Sequence, residues 1–567
     1  MSVVASVLIR MLGRRAASRF EASTKNPRAA QQDKLLQMMR RNKDTDYGRR
    51  YGFGSIRSLD DYRRQVPPVS YDDIDGEIKK ILAGKEKVLT AEKPLMFAQT
   101  SGTTGEAKYI PVTATCRGRD HADTMRTWLY HAISKHPGMF RGQVISMVSP
   151  AVEGYTEAGI PYGSASGHIY KNMPRPVQST YAIPYSVFLI QDYDAKYYTI
   201  MRFSLAANVT FVGTANPSSI LKMCEYASEH ADDLIQDLAK GTLRQDLDID
   251  PEIRSTVEAC LKADPGRARL LERARGIRSG KLLPADYWPN LALLGCWKGG
   301  TVGTTVKKLS GWFDPDGRRM VPVRDWGYLS SEARGSIPLS DHGSAGALTV
   351  NANFFEFVPV DSLEDHPHET DRWQLLGVED LEIGGEYYVF LTTTGGLYRY
   401  DINDVIEVVG NYNSTPTIVF KRKGRGMSSI TGEKLSVNQV IVAMESSSRK
   451  IGVSIDHFKV EPDVENARYI FKVEASKLET TQRHALLREI EAGLVRLNIE
   501  YEAKRKSGRL NDPVLQVMKQ GWYERQKKAL VASGKRLFQA KTVLLDAKAG
   551  YSPDPENLEA EVTLQDE

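Results

Sequence analysis

Apolar positions in the first two thirds of the chain alternate between short unbroken runs and runs spaced at three and four residues, the pattern of buried strands covered by helices. Gln143–Ser149, Asn208–Ala215 and Leu291–Cys296 read as buried strands. The second runs into Asn216-Pro217, where Asn caps and Pro opens a helix expected to reach about His230. From Glu386 to Gly410 the pattern turns to strand, Gly395-Gly396 turn, strand, with Tyr387, Tyr388, Tyr398 and Tyr400 supplying β preference. Thr417–Phe420 is one more apolar strand before Lys421-Arg-Lys-Gly-Arg-Gly426, a polar, glycine-bearing stretch of hinge character. Beyond it Ile455–Val460 and Tyr469–Val473 read as strands, Thr480–Leu497 and Pro513–Leu530 as helices, and the residues from Tyr551 as a loose acidic tail. The expected fold is α/β, with a large N-terminal domain of helix-covered β-sheets at 1–421 and a smaller α+β domain at 422–567.

Length and charge narrow the function classes. At 567 residues the chain exceeds what one core fills, and its apolar content of 41% is ample for two or more domains. A net charge of only +5, from 76 basic against 71 acidic residues, gives no global signal for nucleic acid. The charged stretch from Asp232 to Lys281, with Arg267, Arg269, Arg273, Arg275 and Arg278, lacks the aromatics of a nucleic-acid face and reads as a solvated helical surface. Cys116, Cys224, Cys260 and Cys296 lie far apart, which argues against a disulfide framework or zinc ribbon and for a reducing, cytoplasmic setting. No apolar run approaches the roughly 18 residues that span a bilayer, so no membrane partner is expected. Arg10, Arg14, Arg15 and Arg19, with no acid among the first twenty residues, resemble a transit peptide, but the amphipathic pattern continues through Leu35, Leu36 and Met39. A basic helical segment packed on the domain is the simpler account, and a monomer is expected.

Four segments carry candidate chemistry. In Phe97-Ala-Gln-Thr-Ser-Gly-Thr-Thr-Gly-Glu-Ala-Lys108 an apolar strand feeds a turn in which Gly102 and Gly105 free the backbone to point N–H groups at phosphate. Thr100, Ser101, Thr103 and Thr104 add hydroxyls and Lys108 adds charge. The spacing is not that of a Walker A loop, which has four residues between its glycines and Lys directly after the second. Tyr328-Leu-Ser-Ser-Glu332 offers an aromatic that, exposed, can face a purine, two hydroxyls, and a carboxylate able to hold Mg²⁺ beside phosphates. Leu397-Tyr-Arg-Tyr-Asp-Ile-Asn-Asp404 ends in a carboxylate suited to ribose hydroxyls. Ser533-Gly-Lys-Arg-Leu-Phe-Gln-Ala-Lys541 places a lysine in the small domain, where it could reach a phosphate site. The histidines add little: His366-Pro-His368 lacks metal-ligand spacing, and His121, His131 and His168 have no readable partner.

Together these segments resemble, in order and spacing, the signature set of the Gretchen Hagen 3 family of acyl acid amido synthetases in the adenylate-forming superfamily. The likeness extends to Thr45-Asp-Tyr-Gly48, Val66-Pro-Pro-Val-Ser-Tyr71, Trp297-x-Gly-Gly300 and Ser336-Ile-Pro338. It implies ATP and Mg²⁺ as cofactors, a small-molecule carboxylic acid and an amine, expected to be an amino acid, as substrates, and an acyl-adenylate between two half-reactions. It further implies that Thr100, Ser101, Gly102, Thr103, Thr104, Gly105, Tyr328, Ser330, Ser331, Asp404 and Arg422 bind nucleotide, that Glu332 holds Mg²⁺, and that Lys108, Glu332 and Lys541 serve catalysis. Lys541 would enter and leave by rotation of a mobile C-terminal domain about 421–426. The chain departs from the pattern at Asn403, where the family has glycine, at Asp401, where plant relatives often have a basic residue, and at Ala540, in place of an aromatic. Two other readings stand beside this one: transfer of the acyl group to a thiol of coenzyme A or a carrier protein, and a nucleotide-binding sensor with a degenerate site. For the acyl pocket Arg117, Tyr155 and Tyr162 are candidates that sequence does not rank.

Overall fold

The computed structural model describes residues 2–100, 107–299, 302–317, 320–367, 369–475, 477–526, 545 and 551–565. The chain divides into two compact units, Met1–Gln99 with Tyr109–Lys421, and Thr100–Lys108 with Arg422–Glu567.

In the larger unit the runs that read as buried strands form a parallel sheet in the order Gln143–Ser146, Val209–Gly213, Leu293–Gly295, Val323–Arg324. All five residues of Val209–Gly213 are buried, as a strand covered on both faces requires. The helix after it, Pro217–Glu229, begins where the dipeptide predicts: the Asn216 side chain accepts from the Ser218 N–H at 2.9 Å and Pro217 sits in the first turn. A second, six-stranded sheet runs Phe354–Pro359, Glu386–Thr392, Tyr400–Tyr412, Thr415–Lys423, Gly346–Leu348, Ser336–Ile337. Lys421 and its two basic neighbours therefore lie on a strand, where Lys421 pairs with Glu407 at 2.8 Å, and are not loop. A third sheet holds Met96–Thr100 and Lys108–Val112.

The basic N-terminal segment forms two helices, Ser2–Lys25 and Pro27–Asn42, the first burying Ala16, Ala17 and Phe20. Gly13 lets it lie close: a Cβ there would come within 2.9 Å of the Tyr130 side chain.

The smaller unit is built on the sheet His457–Asp463, Arg468–Glu474, Val514–Met518, Leu558–Thr563, its middle pair parallel, with helices Val437–Ile451, Thr480–Leu497 and Ile499–Lys506. Two expectations are corrected here. Val514–Met518, expected within a helix, is a wholly buried strand. Leu558–Thr563, expected in a loose tail, pairs antiparallel with it as the sheet's edge. Among the described residues no helix is long and apolar enough to cross a membrane.

Candidate active site

The Tyr328–Glu332 segment is a tight turn just beyond the carboxyl ends of the parallel strands, where open α/β sheets bind their ligands. Gly327 opens it with φ +82°, and a Cβ there would sit 2.4 Å from the Ser336 carbonyl oxygen. Tyr328 N–H donates to Ser336 Oγ at 2.9 Å, while the Tyr328 carbonyl accepts from Gly335 N–H at 2.7 Å. Inside the turn Ser330 N–H donates to the Ala333 carbonyl at 2.9 Å, and Ser330 Oγ accepts from the N–H groups of Glu332 and Ala333 at 3.2 Å each. Ser330 is thus a turn former, the usual use of a serine hydroxyl two and three residues ahead. Ser331 is half-buried and Glu332 buried.

The third motif makes the start of the strand Tyr400–Tyr412. Arg399 and Asn403 both adopt left-handed backbone, φ +46° and +55°. Asn tolerates this where the family has glycine, and Asp401 Oδ1 supports the turn by accepting the Asn403 N–H at 2.8 Å. The unexpected carboxylate of Asp401 therefore helps the unexpected asparagine hold its left-handed backbone within the strand. Arg399 points away from this site: its Nε donates to Glu356 Oε2 at 2.8 Å and its NH1 to the Val66 carbonyl at 2.6 Å.

The fold joins these two segments directly. Tyr328, expected as an exposed platform for a purine, is buried, lies parallel to Phe420 with centroids 6.3 Å apart, and donates its hydroxyl to Asp404 Oδ2 at 2.9 Å. Burial first, then Asp404, Glu332 and Asp401, push the Tyr328 pKa well above the ordinary phenol value. Tyr400 is raised by burial and by Glu332, Asp401 and Asp404 as well. Two buried phenols and three carboxylates thus converge on one place, and such a place receives a polyphosphate only with cations to offset the acids. Carboxylate oxygen beside phosphate oxygen is the donor set Mg²⁺ prefers, so Glu332 fits the ion.

Other expected site residues fall differently. Thr100 is buried at the end of Met96–Thr100 and Lys108 half-buried at the start of Lys108–Val112. Ser101, Gly102, Thr103, Thr104 and Gly105 lie outside the described residues, as do Gly300, His368 and Lys541 with Gln539 and Ala540. Arg422 is the last but one residue of the strand Thr415–Lys423, its NH1 donating to the Lys423 carbonyl at 3.4 Å. Of the acyl-pocket candidates, Arg117 NH1 faces His168 Nδ1 at 3.2 Å, Tyr162 packs edge-on against Tyr109, and Tyr155 is exposed. Arg117 belongs to a π-helical turn, Cys116–His121, a geometry frequent at functional sites.

Sequence reasoning missed Asp325. Just beyond the last parallel strand, its buried carboxylate accepts the Gly327 N–H at 2.6 Å and the Lys298 N–H at 2.5 Å. The signal available was an acid directly after a strand and two residues before a glycine turn.

Family models described as the GH3 family N-terminal, central and C-terminal domains match residues 16–316, 346–423 and 438–548. Among curated proteins, indole-3-acetic acid-amido synthetase GH3.3 of Arabidopsis thaliana is 27% identical over 453 residues, covering 77% of this chain and 74% of the relative. The probable indole-3-acetic acid-amido synthetase GH3.11 of Oryza sativa subsp. japonica is 27% identical over 444 residues, covering 74% and 73%. The solved structure of GH3.15 acyl acid amido synthetase matches 97% of both chains with a TM-score of 0.63 at 20% identity, which carries the fold. The same enzyme in complex with 2,4-DB matches 98% of both with a TM-score of 0.64 at 19% identity.

Proposed function

This chain belongs to the GH3 family, and on that premise we propose how its residues divide the work of an acyl acid amido synthetase. The enzyme is a ligase: it converts a carboxylic acid to its acyl-adenylate and then passes the acyl group to an amine. In the first half-reaction the acid's carboxylate oxygen attacks the α-phosphorus of ATP and pyrophosphate leaves. In the second the amine attacks the activated carbonyl, AMP leaves with the former carboxylate oxygen, and the amine's proton passes to solvent.

The observation that carries the assignment of the nucleotide site is the hydrogen bond from Tyr328 to Asp404, which unites two motif segments 76 residues apart around Glu332. Asp404, oriented by that bond, accepts the ribose hydroxyls. Thr100 and the following Ser101, Gly102, Thr103, Thr104 and Gly105 hold the phosphates with Lys108, and Ser330 shapes the turn that presents Ser331 and Glu332. Mg²⁺, held by Glu332, would supply charge neutralisation at the phosphates when bound. Lys541 and Arg422 belong to the 422–567 domain, and Lys541 serves adenylation only. The reading includes a monomer, a cytoplasmic setting and an amino acid as the amine.

ATP–pyrophosphate exchange against a panel of aryl, indolyl and fatty acids, with and without Mg²⁺, tests this reading. Exchange stimulated by one acid class supports it and names the donor. ATP binding without exchange for any acid would favour a nucleotide sensor instead. With a donor in hand, amino acids and coenzyme A offered side by side identify the acceptor, and thioester formation alone would overturn the amide assignment.

A further inference from the structure

We propose that Asp325 is a positioning residue for the nucleotide site, its carboxylate clamping the Trp297–Gly299 turn to the run that enters Tyr328. The proposal rests on the reading of Tyr328, Glu332 and Asp404 as that site.

The geometry is specific to a carboxylate. Asp325 follows Val323–Arg324, and Lys298 follows the neighbouring parallel strand Leu293–Gly295 after two residues. One carboxylate oxygen takes the Gly327 N–H and the other the Lys298 N–H, with the Gly299 N–H also directed at it. Both main-chain segments therefore present N–H donors to this side chain, and an acceptor with two oxygens is the group that satisfies both.

Three indoles brace the same joint. Trp297 Nε1 donates to the Gly327 carbonyl at 3.2 Å, Trp326 Nε1 to the Thr214 carbonyl at 2.8 Å, and Trp128 Nε1 to the Asp325 carbonyl at 2.7 Å. Trp326 lies flat over Gly213 and Gly295, where an added Cβ would come within 3.1 and 2.8 Å of its ring, and stacks on Trp128 at 4.3 Å. The clamp thus ties three of the four parallel strand ends to the turn at Gly327, one residue from Tyr328 and five from Glu332.

Burial pushes the Asp325 carboxyl up to about 6, against the N–H donors and the charge of Lys298 that favour its ionised form. The charged and titratable groups around it are Cys296 and Lys298 on one segment and Arg324 on its own strand. Arg324 turns to Asp341, which also receives His136 from just past the end of the helix Ala122–Lys135, and His131 of that helix faces Arg324. Protonation removes an acceptor from between two donors, so the clamp holds above the carboxyl's pKa and opens below it.

The test measures affinity of the full-length protein for a fluorescent mant-ATP between pH 5 and 8, with intrinsic tryptophan fluorescence recorded in parallel. Wild type should lose affinity by about tenfold as pH falls through about 6, with a tryptophan transition at the same midpoint. Asp325→Asn, which offers an amide N–H to one of the donors, should bind about tenfold more weakly at pH 7.5 and show neither pH dependence nor transition. If that variant fails to fold, wild type and His136→Gln still decide: the midpoint must survive the His136 change. Wild-type affinity that is flat with pH, or a transition retained in Asp325→Asn, would overturn the clamp while leaving the nucleotide site standing. No mant-ATP binding to wild type at any pH would overturn both.

Discussion

The Tyr328 hydroxyl donates to Asp404 Oδ2 at 2.9 Å across 76 residues of sequence, with both side chains buried. The bond fixes which way the Asp404 carboxylate faces, and it is charge-assisted, so its loss should be felt. Tyr328→Phe keeps the ring against Phe420 and removes only the donor. A hydrogen bond to a charged group contributes about 1.5–3 kcal/mol, which corresponds to a rise of roughly 10- to 100-fold in KM for ATP in pyrophosphate exchange. A KM within twofold of wild type would show that Asp404 needs no such orientation.

Asn403 tests whether the departure from the family motif damages the site. At φ +55° it carries a Cβ in left-handed backbone, while the bond that fixes the turn uses its main-chain N–H. Asn403→Gly should therefore retain activity and lose no stability, and Asn403→Val should lose about 1–2 kcal/mol because a β-branched residue resists that conformation. Equal activity and melting behaviour of the two variants would count against the turn's dependence on residue 403.

Much of this arrangement was legible in the sequence, and the reason differs by residue. Asn216-Pro217 and the helix Thr480–Leu497 carry their signals locally, in a cap, a proline and an apolar period. The Tyr328 and Asp404 segments were readable as motifs, but their contact was not, because nothing near either one encodes a partner 76 residues away. Val514–Met518 reads as helix in the sequence because a short buried run has no period to separate strand from helix. Leu558-Glu-Ala-Glu-Val-Thr563 did alternate with period two, yet its acids and the prolines before it made it look like a tail. Asp325 is the extreme case: its partners are main-chain N–H groups, which leave no trace in a side-chain pattern.

Arg399 shows a motif residue serving the fold. It is buried against Glu356, which also accepts Arg63 Nε at 2.9 Å, and it reaches the Val66 and Arg63 carbonyls. Arg399→Leu leaves Glu356 short of one cation, and the buried Val66 carbonyl and part-buried Arg63 carbonyl short of a donor. Breaking a buried pair in this way costs about 3–5 kcal/mol, to be read from the urea midpoint of the N-terminal unit. A loss under about 1 kcal/mol would place the arginine's importance elsewhere.

Lys541 should separate the half-reactions. If it serves only while two anions approach each other at the α-phosphorus, Lys541→Ala abolishes pyrophosphate exchange and spares amide formation from a preformed acyl-adenylate. Equal loss of both steps would defeat the assignment of Lys541 to adenylation.

Lys504 gives a prediction in which pH supplies the sign. It lies on the helix Ile499–Lys506 beside Gly432, and burial together with the charges of Arg509 and Lys434 pushes its pKa down to about 8, with Glu500 and Glu433 opposing. The folded value is below that of the unfolded lysine, so between about 8 and 10.5 the unfolded chain binds the extra proton and stability rises with pH. Below pH 8 the full cost of the buried ammonium is present. Lys504→Met keeps the aliphatic stem and removes the charge, and at pH 7 it should stabilise the C-terminal unit by about 1–3 kcal/mol. The gain should shrink as pH rises above 8 and vanish near 10.5, as followed by slowed amide hydrogen exchange in Ile499–Lys506 at pH 7 and by urea midpoints up to pH 10. A gain that is the same at both ends of that range would mean that packing, and not the buried charge, sets the effect.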